Sequence, residues 1–288
     1  MWYDELCEYY KVSPEEALEL GTRSSGRKPN LPASSTCKAI SNMTFEDIWE
    51  SKPRTSNKEI LDFYIDQGAW STFRQCVRHI DLTNYHISMF QTVMNVLSQT
   101  RQDLSSVHIL EYGCGVAPFI TTFLKMINNQ EKFLKNLKFS ISDVDKCEHF
   151  IFADWRLNKI NERRNLNLSI DAVGIKHDSL PSYSSGLDVV FIFEVLEHVP
   201  SPIDTLNNLM SQMNDNCLFV ENFIKHEHSD DEPPGPDLDS AADEREDYYK
   251  ILTNNFKLIT NNDHVSFPNQ TRIWMKNTED KEDKSSGV

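Results

Sequence analysis

The sequence predicts an α/β protein built around a mostly parallel β-sheet with helices on both faces. Three observations support this prediction. From residue 107 onward, short apolar runs alternate with segments of helical periodicity. Several of these runs are apolar almost throughout, which is typical of parallel strands buried on both faces. Two glycines, Gly113 and Gly115, directly follow the first run and precede a helical segment, as in a turn from strand to helix.

The region before residue 106 is predicted to be helical. Ser13, Pro14 and Glu16 predict a helix start, because a capping serine is followed by a proline at the first helical position and a glutamate at the third. We expect this helix to end at Gly21. The next residues, 21–42, are rich in Gly, Pro and Ser and predict an exposed connection.

Further helices are predicted between this connection and the sheet. Thr44 and Asp47 suggest another helix start. Apolar residues at helical spacing predict a helix from 58 to 80 that continues through Gly68, and a last helix over 87–97.

Seven apolar runs predict the strands, at residues 107–112, 138–143, 168–173, 187–193, 217–222, 256–260 and 271–276. Helical segments after Gly115, at 148–162 and at 202–213 separate several of them, which favours parallel crossover connections. The last two runs have no helical segment between them, so we expect an antiparallel edge pair. The sequence thus predicts a doubly wound, seven-stranded sheet.

The length of the chain limits the number of domains that it can form. With 288 residues, it can form one large domain or two modest ones. We expect residues 1–105 to form a helical cap and substrate region, 106–276 to form the sheet domain, and the polar residues 277–288 to be disordered.

Composition excludes several classes of function. Lys and Arg total 29 against 44 Asp and Glu, and the net charge of -15 argues against a nucleic-acid partner. The six cysteines show no C-x-x-C pair, which indicates free thiols in a reducing compartment. The N-terminus is acidic and no stretch is long and apolar enough for a membrane span. We expect a soluble, cytoplasmic protein with no membrane partner.

The glycine turn is the strongest chemical signal. Gly113 and Gly115 leave backbone exposed to a ligand at the start of a helix, where N–H groups are unpaired. A dinucleotide pyrophosphate would need a third glycine or an alanine at position 118, which is Pro118. The alternative is a ligand whose charged end is an amino acid, with Glu111 facing its ammonium group.

This segment resembles the first motif of the class I S-adenosylmethionine (SAM)-dependent methyltransferases. The residues that match the motif are Glu111, Gly113, Gly115 and Ala117. The resemblance extends in the family's order over about 107–222, with weaker support to 276. It implies a Rossmann-like sheet domain, SAM as cofactor and S-adenosylhomocysteine (SAH) as product. We read the chain as a methyltransferase of the small-molecule type.

The later segments imply further cofactor-binding residues. An acid at the end of the second strand can accept hydrogen bonds from a ribose diol, and we assign Asp143, with Asp145 as the alternative. The family resemblance of 176–181 implies that Asp178, beside Ser179, accepts from the adenine amino group. The alternative for Asp143 is a helix-capping or turn residue, and the alternative for Asp178 is a solvated loop residue.

The segment 187–202 resembles the fourth motif of methyltransferases that act on quinone precursors. It implies that Glu194 approaches the methionine part of SAM. His198 is the candidate general base, because imidazole titrates near neutrality and follows the strand end. Glu197 is a second catalytic candidate. The alternative is that the Glu197–His198 pair is a structural hinge or a pocket wall.

Candidate acceptor-binding residues lie in the predicted cap. Tyr64, Gln67, Trp70 and Arg74 are three or four positions apart, hence along one helix face. The aromatic residues are either core residues or part of an acceptor pocket. Arg74 either belongs to a surface ion pair or contacts a carboxylate of the cofactor or the substrate.

An acidic segment over 226–247 contains ten acidic residues and one arginine. His226, His228 and the acids that follow resemble a metal-ligand set in composition, but no helical spacing holds them together. We expect a mobile acidic loop near the pocket mouth and no metal.

The sequence therefore predicts a SAM-dependent methyltransferase that acts on a small-molecule acceptor by N- or O-methylation. Two alternatives remain open. The chain could methylate a protein or peptide side chain, or it could be a non-catalytic relative that binds the cofactor.

Overall fold

The computed structural model of the chain describes residues 3–24, 54–100, 106–127, 137–223, 238–262 and 271–278. Predictions for Thr44, Asp47, most of the 21–42 connection, residues 226–237 and most of the C-terminal tail lie outside the described residues.

Five described helices precede the sheet: α1 (Tyr3–Tyr10), α2 (Pro14–Ser24), α3 (Asn57–Asp66), α4 (Ala69–Asp81) and α5 (Thr83–Thr100). The predicted start of α2 is confirmed. The N–H of Glu16 donates to Ser13 Oγ at 3.2 Å, and the N–H of Ser13 donates to Glu16 Oε2 at 3.0 Å. The predicted end at Gly21 is wrong, because α2 continues to Ser24.

The prediction of one helix from 58 to 80 is also wrong. Gly68 has φ +54°, outside the right-handed helical region, so α3 ends before it and α4 begins after it. The apolar periodicity on the two sides of Gly68 therefore belongs to two separate helices. Tyr64 and Arg74, which were expected on one face, come from different helices.

The sheet has the seven strands that the sequence predicts: β1 (Val107–Tyr112), β2 (Leu137–Val144), β3 (Ser169–Ile175), β4 (Leu187–Ile192), β5 (Met213–Glu221), β6 (Phe256–Asn262) and β7 (Thr271–Lys276). Their spatial order is β3-β2-β1-β4-β5-β7-β6. The first five strands are parallel, and β7 runs antiparallel to both β5 and β6. The fold class is confirmed.

Helices α6 (Pro118–Met126), α7 (Glu148–Arg163), α8 (Pro202–Met210) and α9 (Asp239–Asn255) follow within the sheet region, with a 3-10 turn at Leu196–His198. Helix α9 includes residues 239–247 of the acidic segment, so the prediction of a loop is wrong there. Ala241, Tyr248 and Leu252 are buried at helical spacing, which fixes this stretch as a helix despite its charge.

Both faces of the sheet are covered. Along β1, Ile109 packs into one apolar cluster with α5, α6 and α7, whereas Leu110 packs into the other with α8 and α9. This alternation follows from the two-residue period of a strand. Because the chain passes from β1 to β2 on one side and returns to β4 on the other, a crevice is expected at the carboxyl ends of β1 and β4.

The N-terminal helices pack beside this crevice. Leu6 of α1, Leu20 of α2 and Phe73 of α4 form a buried cluster with Val116 and with Phe152 of α7. Lys125 Nζ of α6 lies 2.8 Å from Glu5 Oε2 of α1, which adds a polar link. No helix among the described residues is long and apolar enough to cross a bilayer.

Candidate active site

A cavity of about 310 Å³ lies at the carboxyl ends of β1, β2 and β4. This volume is at the lower end of the range of small-molecule sites, roughly 300–1,000 Å³. The strands contribute Glu111, Asp143 and Phe191 to the cavity lining, and helices α3, α4 and α5 contribute further lining residues. The cavity is therefore shared between the sheet and the N-terminal helices.

The glycine turn forms the floor of the cavity. Gly113 and Gly115 have φ of +62° and +53°, a region that glycine adopts without strain. A Cβ at Gly113 would overlap the side chain of Val195, and a Cβ at Gly115 would overlap Gln75 Oε1. The backbone conformation therefore favours glycine at both positions, and the close approach of Val195 adds a steric reason at Gly113.

Glu111 fixes the helix that follows the turn. Its Oε1 accepts from the N–H of Phe119 at 3.1 Å and its Oε2 accepts from the N–H of Ile120 at 3.0 Å. Burial raises the pKa of Glu111 to about 8, and these two N–H groups offset part of this effect. The carboxyl group was expected to face a ligand ammonium group. The structure shows that both of its oxygens also hold the first turn of α6.

Asp143 connects the end of β2 to the glycine turn. Its Oδ2 accepts from the N–H of Gly115 at 2.6 Å, and its Oδ1 accepts from the N–H of Val144 at 2.7 Å. Burial opposes ionisation of Asp143, but the charge and hydrogen bond of His149, together with these N–H groups, keep its pKa below the usual value. An ionised carboxylate therefore lies in the cavity wall.

His149 orders the surroundings of Asp143. Its Nε2 lies 3.4 Å from Asp143 Oδ1 and 3.1 Å from Cys147 Sγ, and its Nδ1 lies 2.9 Å from Ser71 Oγ of α4. The Asp143, Cys147 and His149 ligand atoms lie within 4.8 Å of one another, a spacing that could hold a metal ion. However, each of them is already within hydrogen-bonding distance of protein groups.

The end of β4 lines another side of the cavity. Glu194 has φ +54°, an uncommon backbone conformation for this residue type. Asn222 fixes it, because its Oδ1 accepts from the N–H of Glu194 at 3.0 Å and its Nδ2 donates to Glu194 Oε1 at 2.6 Å. His198 lines the cavity, and its Nε2 lies 3.8 Å from Glu197 Oε1. Glu197 itself is buried and does not line the cavity.

Only two of the four predicted acceptor residues line the cavity. Tyr64 and Arg74 line the cavity. Gln67 and Trp70 are buried but do not contribute to its wall, and the Trp70 ring lies 5.4 Å beneath the Arg74 guanidinium carbon. The two residues that line the cavity thus come one from α3 and one from α4, on either side of the break at Gly68.

An aromatic wall, made of Tyr85, His86, Phe119 and Phe193, lies on the side of the cavity nearest β4 and α5. The Phe119 and Phe193 rings stack at 4.7 Å, and His86 packs edge-on against Phe119 at 4.8 Å. Burial lowers the pKa of His86 to about 3, so this histidine is neutral at physiological pH. The wall is therefore an aromatic, uncharged surface.

Asp178 and Ser179 lie elsewhere. Both are exposed on the connection after β3, and neither lines the cavity. Ser179 Oγ donates to Asp178 Oδ1 at 3.4 Å, and the neighbouring His177 carbonyl accepts from Asn57 Nδ2 of α3 at 2.7 Å. The structure therefore places Asp178 as a solvated loop residue outside the cavity lining.

Sequence reasoning missed Gln75, His149, Tyr85 and His86. Gln75 and Ser71 are four residues apart and so share one face of α4, and this spacing is the only signal of them in the sequence of α4. Tyr85 and His86 carry no motif, because the cavity that they line exists only after α5 packs beside the sheet.

Comparison with known proteins identifies the family. The family model described as "Methyltransferase domain" matches residues 85–273, about two thirds of the chain. The chain therefore belongs to this methyltransferase family. It is a SAM-dependent enzyme, with SAH as its product. No curated protein matches the sequence.

Several solved structures of methyltransferases are similar to the chain at low sequence identity. A SAM-dependent methyltransferase from Aquifex aeolicus is 16% identical, covers 65% of this chain and 87% of its own, and has a TM-score of 0.43. Magnesium protoporphyrin IX methyltransferase from Synechocystis PCC 6803 with bound SAM is 16% identical, with coverages of 67% and 81% and a TM-score of 0.42. The plantazolicin methyltransferase BpumL in complex with SAH is 13% identical, with coverages of 80% and 93% and a TM-score of 0.45.

The cavity fits the chemistry of the cofactor. SAM combines a nucleoside with a zwitterionic amino acid, so its site needs an acceptor for hydroxyl groups, apolar surface and donors for a carboxylate. Asp143 supplies the acceptor, the aromatic wall supplies apolar surface, and Arg74 supplies a cation.

We predict that Gly113→Ala destabilises the protein more than Gly68→Ala. Both glycines have a left-handed backbone, which costs alanine about 1–2 kcal/mol. At Gly113 the added methyl group also overlaps Val195, which adds about 1–3 kcal/mol, whereas no atom lies within 4 Å at Gly68. Denaturant unfolding measures both losses. Equal losses would show that Val195 does not restrict the turn.

We predict a pH dependence of stability from Glu111. Its pKa rises from 4.5 to about 8 on folding, so the stability it contributes is fully present below about pH 4.5 and is lost as the pH rises through about 8. Between about pH 6 and pH 9 the melting temperature of the wild type should therefore fall more than that of Glu111→Gln, which cannot titrate there.

The control for this experiment is Glu162→Gln, at an exposed position of α7, which should follow the wild type. Thermal melting followed by circular dichroism gives all three profiles. Parallel profiles for the wild type and Glu111→Gln would contradict the raised pKa.

Proposed function

We propose that this methyltransferase acts on a small-molecule acceptor, at a nitrogen or an oxygen atom. The observation that carries the proposal is the composition of the cavity, which an aromatic wall and helices α3 to α5 enclose together with the glycine turn. A concave, largely apolar site with a few polar groups is typical of small-molecule binding. Helices α1 to α5 act as the cap, and the sheet region from residue 106 is the cofactor domain.

The cofactor end of the proposed site consists of Glu111, Gly113, Gly115, Asp143 and Glu194. Asp143 is the proposed acceptor for the ribose hydroxyl groups, because it is the ionised acid that lines the cavity at the end of β2. Asp178 and Ser179 are left out, because they are exposed and lie outside the lining.

The acceptor end consists of the aromatic wall together with Tyr64, Arg74 and His198. Bound SAM supplies an electrophilic methyl group on a sulfonium. The chain aligns the acceptor with that group and excludes water, and orientation alone can contribute ~7–11 kcal/mol to such a reaction. His198 is the proposed general base, with Glu197 stabilising the imidazolium that forms when it accepts a proton.

The proposal predicts where a labelled methyl group goes. Purified protein is incubated with methyl-labelled SAM and a cell extract, and label is measured separately in the low-molecular-weight and protein fractions. We expect label in a small molecule, on N or O, and we expect excess SAH to suppress it. Label in the protein fraction alone, or binding of SAH without any transfer, would contradict the proposal.

The same assay tests His198 once the acceptor is known. A positioned base contributes roughly 10²–10⁴-fold, so His198→Gln should lower kcat by at least about 10² and remove the acidic limb of the pH profile. Affinity for SAH should not change. His177→Gln, at an exposed histidine outside the cavity lining, is the control. Wild-type kcat in His198→Gln across the pH range would exclude this base.

A further inference from the structure

Three side chains of different chemical types converge at the end of β2. Asp143 offers a carboxylate oxygen, Cys147 a sulfur and His149 a ring nitrogen, and these atoms lie within 4.8 Å of one another. All three residues are buried. No other group of three such ligands occurs in the part of the chain that the structure describes. The proposed function uses Asp143 and leaves the other two side chains without a role.

The distances within this cluster are close to those of a metal site. His149 Nε2 lies 3.4 Å from Asp143 Oδ1 and 3.1 Å from Cys147 Sγ. In a tetrahedral Zn²⁺ site, bonds of about 2.0 Å to nitrogen and oxygen and about 2.3 Å to sulfur separate neighbouring ligand atoms by roughly 3.3–3.6 Å. The two pairs measured here differ from these separations by less than about 0.5 Å. Small side-chain shifts would therefore bring these ligand atoms to the separations that the ion needs.

Two of the three ligand groups have partners outside the cluster that hold them in place. Ser71 Oγ lies 2.9 Å from His149 Nδ1, which leaves Nε2 for the other members of the cluster. The N–H of Gly115 donates to Asp143 Oδ2 at 2.6 Å, while Oδ1 faces His149. Metal-binding histidines and carboxylates in proteins typically have such partners, which orient them. These outer contacts are therefore compatible with a bound ion.

Cys147 determines which metal fits the cluster. It is the N-cap residue of α7, and the partial positive charge of a helix N-terminus favours a thiolate. Burial and the charge of Asp143 raise the pKa of the thiol, so a metal ion must displace its proton. The negative charge of Asp143 that retains this proton also attracts a divalent cation. A set of one sulfur, one nitrogen and one oxygen favours Zn²⁺ over Mg²⁺ and Ca²⁺, which prefer oxygen ligands.

The cluster borders the cavity of the active site. Asp143 and His149 line the cavity, whereas Cys147 does not. An ion in the cavity can therefore reach two of the three ligands directly. Zn²⁺ sites with three protein ligands hold water or another small ligand at the fourth position, and the cavity has room for it.

We propose that Asp143, Cys147 and His149 bind one Zn²⁺ ion, and that this ion competes with SAM and SAH. A metal ion on the carboxylate neutralises the acceptor that the ribose hydroxyl groups require, so the cluster is an inhibitory metal site. The inference rests on the proposed function, because the competition requires Asp143 to bind the cofactor. The competing explanation is that the three side chains form a hydrogen-bonded network that only connects β2 to α7.

Titration with Co²⁺ separates these explanations, because Co²⁺ replaces Zn²⁺ in such sites and a thiolate bound to it gives a charge-transfer absorption band. The full chain is kept reduced with a phosphine, which leaves the metal free to bind the protein. We expect a band that saturates at one equivalent of Co²⁺ and that Zn²⁺ removes. Excess SAH should also remove it, whereas glycine, which has the same chelating amino-acid group without the nucleoside, should not.

Cys147→Ser removes the sulfur ligand and should abolish the band. Loss of a group that only orients a metal ligand costs about 10–100-fold in affinity, so loss of a ligand should weaken Zn²⁺ binding at least about 100-fold. Cys217→Ser, at a buried cysteine outside the cluster, should keep the band. His226→Ala combined with His228→Ala should keep it as well, which separates this site from the histidines of the acidic segment.

Titration calorimetry with SAH measures the competition. Saturating Zn²⁺ should weaken binding of SAH to the wild type at least tenfold. Cys147→Ser should bind SAH within about twofold of the wild type without metal, and Zn²⁺ should not change its affinity.

Three results would overturn the inference: no cobalt band in the wild type, the same band in Cys147→Ser, or an unchanged affinity for SAH at saturating Zn²⁺. A wild type that shows the Cys147-dependent band but does not bind SAH in the absence of metal is a different outcome. It would contradict the proposed function and leave the metal-binding part of the inference standing.

A measurement on the wild type keeps the inference testable if Cys147→Ser does not fold. Mg²⁺ has the same charge as Zn²⁺ but prefers oxygen ligands, so at the same concentration it should leave the affinity for SAH unchanged. Equal weakening by the two ions would indicate a general effect of ionic charge and would overturn the inference.

Discussion

The rest of the site depends on the hydrogen bonds that the Asp143 carboxylate accepts. It accepts from the N–H of Gly115 at 2.6 Å and from the N–H of Val144 at 2.7 Å, and so joins the turn after β1 to the end of β2. A buried charge is costly unless it is paired and hydrogen-bonded, and His149 together with these N–H groups supplies that compensation. The same contacts that stabilise the turn therefore keep an ionised acceptor in the cavity wall.

The N-terminal helices complete this arrangement from the other side. Ser71 contacts His149, and Gln75 contacts Val116, so one face of α4 reaches both the acid and the glycine turn. Helix α5 adds Tyr85 and His86 to the aromatic wall beside the turn. The helices at the proposed acceptor end are thus in contact with the proposed cofactor-binding groups, and a change in the packing of α4 is expected to affect both.

Much of the fold could be predicted because its signals are local. The seven apolar runs coincide with the seven strands, and the capping residues Ser13 and Glu16 mark the start of α2. The break at Gly68 was missed because apolar periodicity continues across it although the helix is interrupted there. Gln75 and His149 could not be found from spacing alone, since they contact the site only through the packing of α4 and α7. Asp178 matched a motif position, yet its loop leaves it exposed.

The most direct test of the central claim compares two neighbouring acids by titration calorimetry with SAH. Asp143 is buried and lines the cavity, whereas Asp145, two residues later, lies outside its lining. The account predicts that Asp143→Asn binds SAH at least tenfold more weakly, about 1.4 kcal/mol, and that Asp145→Asn binds it as the wild type does. Full affinity in Asp143→Asn, with a loss in Asp145→Asn, would contradict it.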